Sequence, residues 1–315
     1  MNRTILVAAL NPCIDAEWRV ERVLPLEKNT VLGERRWAGG KGINVVRWLG
    51  LLGTPGRLLV PLGGQSGKAL KRMLRELGLK VSIVPVIGES RVNVIVTPEM
   101  GGPQYRFNPL GPRFTGEEWR HVKSRLNKEL QGASFLMLSG SLPRGVPASA
   151  YALMARQARS RGVRVILDCD GEALRAGVAA KPFLVKPNSH ELVEWFGRPL
   201  GSTEAVKRAA RSMSDRTGGY VLVSRDKEGA VLINTREGVS LSAAAPVSRV
   251  LNTVGAGDAM VAAVAARMLD GSSPAVWLQW GVASGTVATR HLAGVLPSSQ
   301  DISRAAAEVE VTSTL

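Results

Sequence analysis

From about residue 115 the chain repeats one unit: a stretch of helical pattern, then a short apolar strand that stops on a polar residue. Residues 115–130 read as helix before the strand 135–138, which runs into Ser139-Gly140-Ser141-Leu142-Pro143. Residues 148–161 read as helix before the strand 163–167, which stops at Asp168. The strand 183–185 enters Lys186-Pro187-Asn188-Ser189-His190-Glu191, where Asn188 or Ser189 is placed to cap the next helix. Residues 203–215 read as helix before the strand 220–223 and Ser224. Strands alternating with helices imply a parallel sheet, whose polar strand ends face one crevice. Ser139, Asp168, Lys186 and Ser224 all occupy such ends, and the recurrence weighs more than any one of them. The fold class is therefore α/β.

A second feature fixes the place of the chemistry. Asn252-Thr253-Val254-Gly255-Ala256-Gly257-Asp258 runs directly into residues 259–269, an apolar run of helical length with no Gly or Pro inside it. Glycines at a helix mouth let backbone N–H groups turn toward a ligand, and the helix start offers unpaired donors and a positive dipole end. An anion such as a phosphate suits that place. Asp258 cannot bind the anion, but it can take a proton from a hydroxyl that attacks it.

The first third of the chain carries a strand pattern at 4–10 ending in Asn11-Pro12, with Asp15 just beyond; on spacing alone Glu17 competes for the same ligand-facing role. Ala38-Gly39-Gly40-Lys41-Gly42-Ile43-Asn44 then approaches a helical run at 45–52. It lacks the Lys-Ser/Thr pair of a Walker A loop, yet Gly39 and Gly40 permit close backbone approach while Lys41 and Asn44 supply polar groups. Residues 62–77 form another loop-helix unit. The runs 92–97 and 104–108 flank Met100-Gly101-Gly102-Pro103 as a hairpin-like pair bearing Arg91, Asn93 and Arg106. A strand at 230–234 precedes the glycine-lined motif, and a helical tail at 273–291 is expected to close the fold.

Composition narrows the function classes. Lys and Arg number 41 against 26 acids, a net charge of +15 that raises nucleic-acid binding. The basic residues, however, alternate with apolar ones as on solvated helix faces, and aromatic content is only 5%, thin for base stacking. Nucleic acid is therefore not an expected partner, and the positive field suits anionic small substrates. No apolar run reaches membrane-spanning length, and Met1-Asn2-Arg3-Thr4-Ile5-Leu6 lacks a signal-peptide layout. Two cysteines, Cys13 and Cys169, form neither a disulfide framework nor a metal-ligand spacing, so a cytoplasmic home is expected.

Taken together, the Gly39–Asn44 and Asn252–Asp258 motifs, supported by Ser139–Pro143 and Lys186–Glu191, resemble those of the ribokinase-like, PfkB-type carbohydrate kinases. Within them, the chain is similar to the branch of 1-phosphofructokinases, minor 6-phosphofructokinases and tagatose-6-phosphate kinases. The resemblance implies a single three-layer α/β/α sandwich domain over 1–315, with a discontinuous β lid from about 12–37 and 91–109 that pairs a homodimer. It implies ATP and Mg²⁺. By position, Asp258 resembles the general base, and the amides of Gly255, Ala256 and Gly257 the anion hole for the transferring phosphoryl group. Asn188 and Glu191 resemble the pair that places magnesium, through water. Lys186, Asn188, Ser224 and Gly229 would lie near the nucleotide. For the sugar, Asp15 rather than Glu17 resembles the acid that grips ketose hydroxyls, with Gly39, Gly40, Lys41, Asn44 and Asn93 around it. Lys28, Arg91, Arg106 and Ser139 resemble the group that holds the substrate's own phosphate, a role suited to the guanidinium fork.

The chain departs from the family pattern after Ser224. An apolar residue and then Gly are usual there, whereas this chain has Arg225-Asp226, which places a carboxylate where backbone should approach phosphates. The implied activity is transfer of a phosphoryl group from ATP to a ketohexose phosphate, fructose 1-phosphate or fructose 6-phosphate, with tagatose 6-phosphate as an alternative. Two other readings compete: a kinase of an unphosphorylated sugar or nucleoside, and a non-catalytic sensor on a kinase fold. The intact Asp258 opposes the sensor, because a pure binder needs no base.

Overall fold

The computed structural model describes residues 4–246 and 250–313, so residues 1–3 of the N-terminal reading lie outside it. The chain opens with β1 (Ile5–Ala8), β2 (Cys13–Val20), β3 (Val31–Gly39), α1 (Lys41–Leu51), β4 (Gly56–Leu62), α2 (Gly64–Glu76) and β5 (Val81–Pro85). Next come β6 (Arg91–Pro98), β7 (Tyr105–Phe107), α3 (Gly116–Glu129), β8 (Phe135–Ser139), α4 (Ala150–Arg159), β9 (Arg164–Asp168) and α5 (Gly171–Val178). After β10 (Leu184–Val185), α6 (Ser189–Phe196), α7 (Thr203–Thr217) and β11 (Tyr220–Ser224), a 3₁₀ turn (Asp226–Glu228) leads to β12 (Ala230–Asn234) and β13 (Val239–Ala244). The chain finishes with α8 (Ala256–Leu269), α9 (Pro274–Thr289), α10 (Ser299–Glu308) and β14 (Glu310–Ser313).

Ten strands form one sheet in the order β14-β13-β12-β11-β10-β9-β8-β1-β4-β5. The stretch from β11 to β5 is parallel throughout, as the strand-helix rhythm requires, because a crossover helix returns each strand in the same direction. Alternation along each strand feeds two cores. Ile5 and Val7 face the layer of α1, α8 and α9, while Leu6 and Ala8 face the layer of α3, α4 and α7. This is the three-layer α/β/α arrangement.

One expectation needs correcting: the helical tail does not close the fold, because α10 and β14 follow it. The strand read at 230–234 is β12, and an unforeseen β13 follows it before the glycine-lined motif. Strands β11 to β14 pair antiparallel and form the far edge of the sheet. The signal of β13 and β14 was weak in the chain: β13 alternates Ser with apolar residues, and β14 is mostly exposed, as edge strands often are.

A second sheet of four strands, in the order β3-β2-β6-β7, stands apart from the first. Its β2–β6 pair is parallel, so residues far apart in the chain share one register, with Asp15 opposite Asn93 and Glu17 opposite Ile95. One face carries Asp15, Asn93, Ile95 and Arg106. By alternation the other carries Trp18, Val94, Val96, Tyr105 and Phe107, of which Tyr105 and Phe107 are 41% and 58% exposed.

Helix α8 is buried almost all round, and glycines of α9 let it pack closely. A β-carbon at Gly281 would lie 2.8 Å from Val264 Cγ2, and one at Gly285 would lie 3.3 Å from the Ala256 carbonyl. Among the described residues, no helix is long and apolar enough to cross a membrane.

Candidate active site

The carboxyl ends of β9, β10 and β11, the start of α1 and the mouth of α8 open on one cleft of about 940 Å³, with the small sheet as its other wall. That size suits two small ligands or one extended one.

Helix α8 begins at Gly255, whose φ of 83° is left-handed, and no side chain caps it. No side chain competes for its first amides, of which Ala256 N makes one long bond to the Thr253 carbonyl at 3.4 Å, and the acid that would repel an anion is held aside. Asp258 is 6% exposed, and its Oδ2 accepts a hydrogen bond of 2.8 Å from Asn44 Nδ2 on α1. Burial, then the nearby Asp168 carboxylate, push Asp258 up to about 6, against Lys41, the Asn44 hydrogen bond and Lys186, which pull it down. A carboxylate near that value is ionised at neutral pH yet basic enough to accept a proton.

Behind it lies a cluster of opposite charges. Asp168 is fully buried; its Oδ1 lies 3.2 Å from Lys186 Nζ and 3.4 Å from Lys41 Nζ. Burial would raise its carboxyl, but the two ammonium groups hold it below the usual carboxylate value. Lys41 in turn is raised above the ordinary lysine value by Asp168, against its own burial. Lys186 also reaches the glycine-lined loop, since a β-carbon at Gly257 would lie 3.5 Å from its Nζ. One fixed anion thus holds two cations beside the helix mouth.

At the other wall, Asp15 is 5% exposed and raised by burial, opposed by the hydrogen bond from Asn93 Nδ2 at 2.8 Å, by Cys13 and by Arg91. Gly39 is what lets it lie there: a β-carbon at that position would fall 2.0 Å from Asp15 Oδ2. Glu17 is instead occupied by Arg35 and Thr97 and does not line the cleft. Arg91 lines the cleft with its guanidinium fixed by the carbonyls of Asn11 and Pro109. Among the described residues Arg106 bonds only Gln104, through Nε at 3.0 Å, which leaves its terminal nitrogens available there. Gly40 also lines the cleft, at a φ of 97°.

Two residues from the same group stand elsewhere in this chain. Ser139 is buried beside Asp168, its register partner on β9, with its Oγ 3.5 Å from Asp168 Oδ2, and it does not line the cleft. Lys28 is exposed on the loop between β2 and β3 and is not on the cleft wall.

At the end of the cleft beside β10 and β11, Asn188 caps α6 in a closed box with Glu191. Asn188 Oδ1 accepts from the Glu191 amide, and Glu191 Oε2 from the Asn188 amide, both at 2.8 Å. Glu191 is raised by burial, with Lys41 and Lys186 opposing. Among the described residues its Oε1 keeps only Lys41, at 3.9 Å. No group of three His, Cys, Asp or Glu side chains poised for a metal occurs among the described residues. That donor set fits magnesium, which commonly binds one or two carboxylates plus substrate phosphates and keeps several waters. Ser224 lines the same end and is bridged through its backbone to Asn188. Gly229 shapes the turn there, since a β-carbon would fall 2.0 Å from the Ala243 carbonyl.

Sequence reasoning missed other parts of the wall. Val250, Val282, Gly285 and Thr286 line the far end, and nothing local in their spacing marked them. Asp168 was visible only as a polar strand end, not as an anchor for two lysines. His190 is exposed beside Glu194 and takes no part in the cleft.

A family model described as pfkB family carbohydrate kinase matches residues 4–300. The chain is 34% identical to a 1-phosphofructokinase of Bacillus subtilis over 82% of this chain and 83% of that protein. It is 31% identical to the ATP-dependent 6-phosphofructokinase isozyme 2 of Escherichia coli, over 94% and 96% of the two chains. The crystal structure of Escherichia coli phosphofructokinase-2 in complex with fructose-6-phosphate superimposes with a TM-score of 0.90 at 30% identity, covering 98% of this chain and 99% of that one.

Proposed function

Because this chain belongs to the pfkB family of carbohydrate kinases, we propose that it transfers the γ-phosphoryl group of ATP to a hydroxyl of a fructose monophosphate, giving fructose 1,6-bisphosphate. Its relatives divide between 1- and 6-phosphofructokinases, and either acceptor leads to the same product. The observation that carries the reading is Asp258: a buried carboxylate pushed up to about 6 beside an uncapped helix start, in one cleft with Arg91 and Arg106.

Asp15 and Asn93 bind and orient the sugar hydroxyls, and Arg91 and Arg106 hold the phosphate already on the sugar. Asp258, oriented by Asn44, accepts the proton of the attacking hydroxyl. The amides of Gly255, Ala256 and Gly257, with Lys186 beside them, hold the charge of the moving phosphoryl group. Magnesium, placed by Glu191 and Asn188 through water, would neutralise the donor's phosphates. Asp168 fixes Lys41 and Lys186 beside the helix mouth, so the positive charge is in place before the substrates arrive.

The apolar outer face of the small sheet, with Tyr105 and Phe107 exposed, supports a homodimer joined through that sheet. Phe107→Asp should then lower the mass seen in sedimentation to that of a monomer. Two buried free cysteines suit a reducing cytoplasm. A coupled ADP-release panel with fructose 1-phosphate, fructose 6-phosphate, tagatose 6-phosphate, fructose and ribose tests the activity. The reading predicts turnover with a fructose phosphate far above that with fructose, and turnover with none of the five would remove it.

A further inference from the structure

We propose that the Asp226 carboxylate is a charge filter for the donor: it holds off polyphosphates that lack a divalent cation and passes the cation-neutralised species. The proposal rests on the kinase reading and deepens it at the donor end of the cleft.

Three observations meet at this residue. Its backbone is left-handed, with a φ of 48°, a conformation that Asp adopts more readily than most residues with a β-carbon and glycine more readily still. The side chain lines the cleft alongside Lys186, Asn188 and Ser224, the residues of the donor end. Among the described residues, its carboxylate has no hydrogen-bond or ion-pair partner.

The neighbours leave that charge standing. Arg225 is turned away, its guanidinium donating to Thr203 Oγ1 at 2.8 Å and pairing with Glu228. Lys227 also lines the wall and is as exposed as Asp226, so water screens both charges alike and each acts separately on a ligand in the cleft. The turn itself is closed by Arg225 N to Gly229 O at 2.8 Å and Gly229 N to Asp226 O at 3.2 Å, which fixes where the carboxylate starts.

Repulsion grows with the charge of the ligand. A free triphosphate carries about four negative charges and its magnesium complex about two, so at about 7 Å in water-like screening each charge weakens binding about 2.7-fold. With salt included, removing the carboxylate should tighten free ATP about 20-fold and the complex about 4-fold at about 0.02 M ionic strength. At about 0.15 M the two factors fall to about 5-fold and about 2-fold.

The test is calorimetric titration of the full chain with ATP, in EDTA and in excess Mg²⁺, at both ionic strengths. Wild type, Asp226→Asn and Asp226→Gly are compared. The Asn variant removes the charge alone, and the Gly variant removes the charge and the backbone penalty together. The proposal expects both variants to tighten metal-free ATP several-fold more than the complex, with the gap closing as salt rises. Equal factors in the two buffers, or an Asn variant within twofold of wild type in EDTA, would overturn it while leaving wild-type turnover and the kinase reading intact. A wild-type chain that binds ATP in neither buffer would sink the kinase reading, and this proposal with it.

Discussion

Asp258→Asn separates catalysis from stability in one substitution. The amide keeps the shape and can still accept from Asn44 Nδ2, which lies 2.8 Å from Asp258 Oδ2, but it cannot take a proton. Turnover should fall about 10²–10⁴-fold, with ATP affinity nearly unchanged. Stability should move the other way. In the folded state the carboxyl is pushed up to about 6 from an ordinary value of 3.8, chiefly by burial. It therefore favours folding below its unfolded value, and that contribution is lost as pH rises through about 6, leaving a buried charge that opposes folding. A shift of about 2 units at about 1.36 kcal/mol each sets a ceiling of about 3 kcal/mol. For a chain of this size that is a rise of about 2–5 °C in Tm at pH 8 without ligands, shrinking toward zero near pH 4. Thermal unfolding of both proteins at the two pH values measures it. A Tm difference that ignores pH, or near-wild-type turnover in the variant, would refute the assignment of a raised, buried base.

Arg106→Ala removes the free guanidinium fork and should raise KM for the sugar phosphate about 10–100-fold while leaving any weak turnover of fructose unchanged, which initial-rate kinetics on both sugars will show. Gly39→Ala would place a β-carbon 2.0 Å from Asp15 Oδ2, so Asp15 must move; KM for the sugar should rise about 10-fold or more, with ATP binding by calorimetry unaltered. Asp168→Asn takes away a charge that raises Asp258 and strips two lysines of their buried partner. The acidic limb of kcat/KM should move below about 6, and urea unfolding should report a loss of about 3–5 kcal/mol.

Much of this was legible in the chain because it depends on neighbours in sequence. Apolar runs of strand length, a cap at Asn188 or Ser189, and glycines before an apolar helix are short-range signals; the structure puts the cap on Asn188 and the apolar helix directly after the glycines. They determined the α/β class, the parallel part of the sheet and the helix mouth that carries Asp258. What tertiary structure decided is which distant groups face one another. Asn44 meets Asp258 across 214 residues, and Lys41 meets Asp168 across 127. Those contacts set the protonation of the base and the fixed positive charge, and no spacing rule encodes them. The same holds for Glu17, which shares a strand face with Asp15 yet is drawn off by Arg35, and for Ser139, which ends a strand but is buried beside Asp168 and off the cleft wall. Local pattern specifies the elements, whereas electrostatics and burial arise only when the sheet brings remote segments into one low-dielectric cleft.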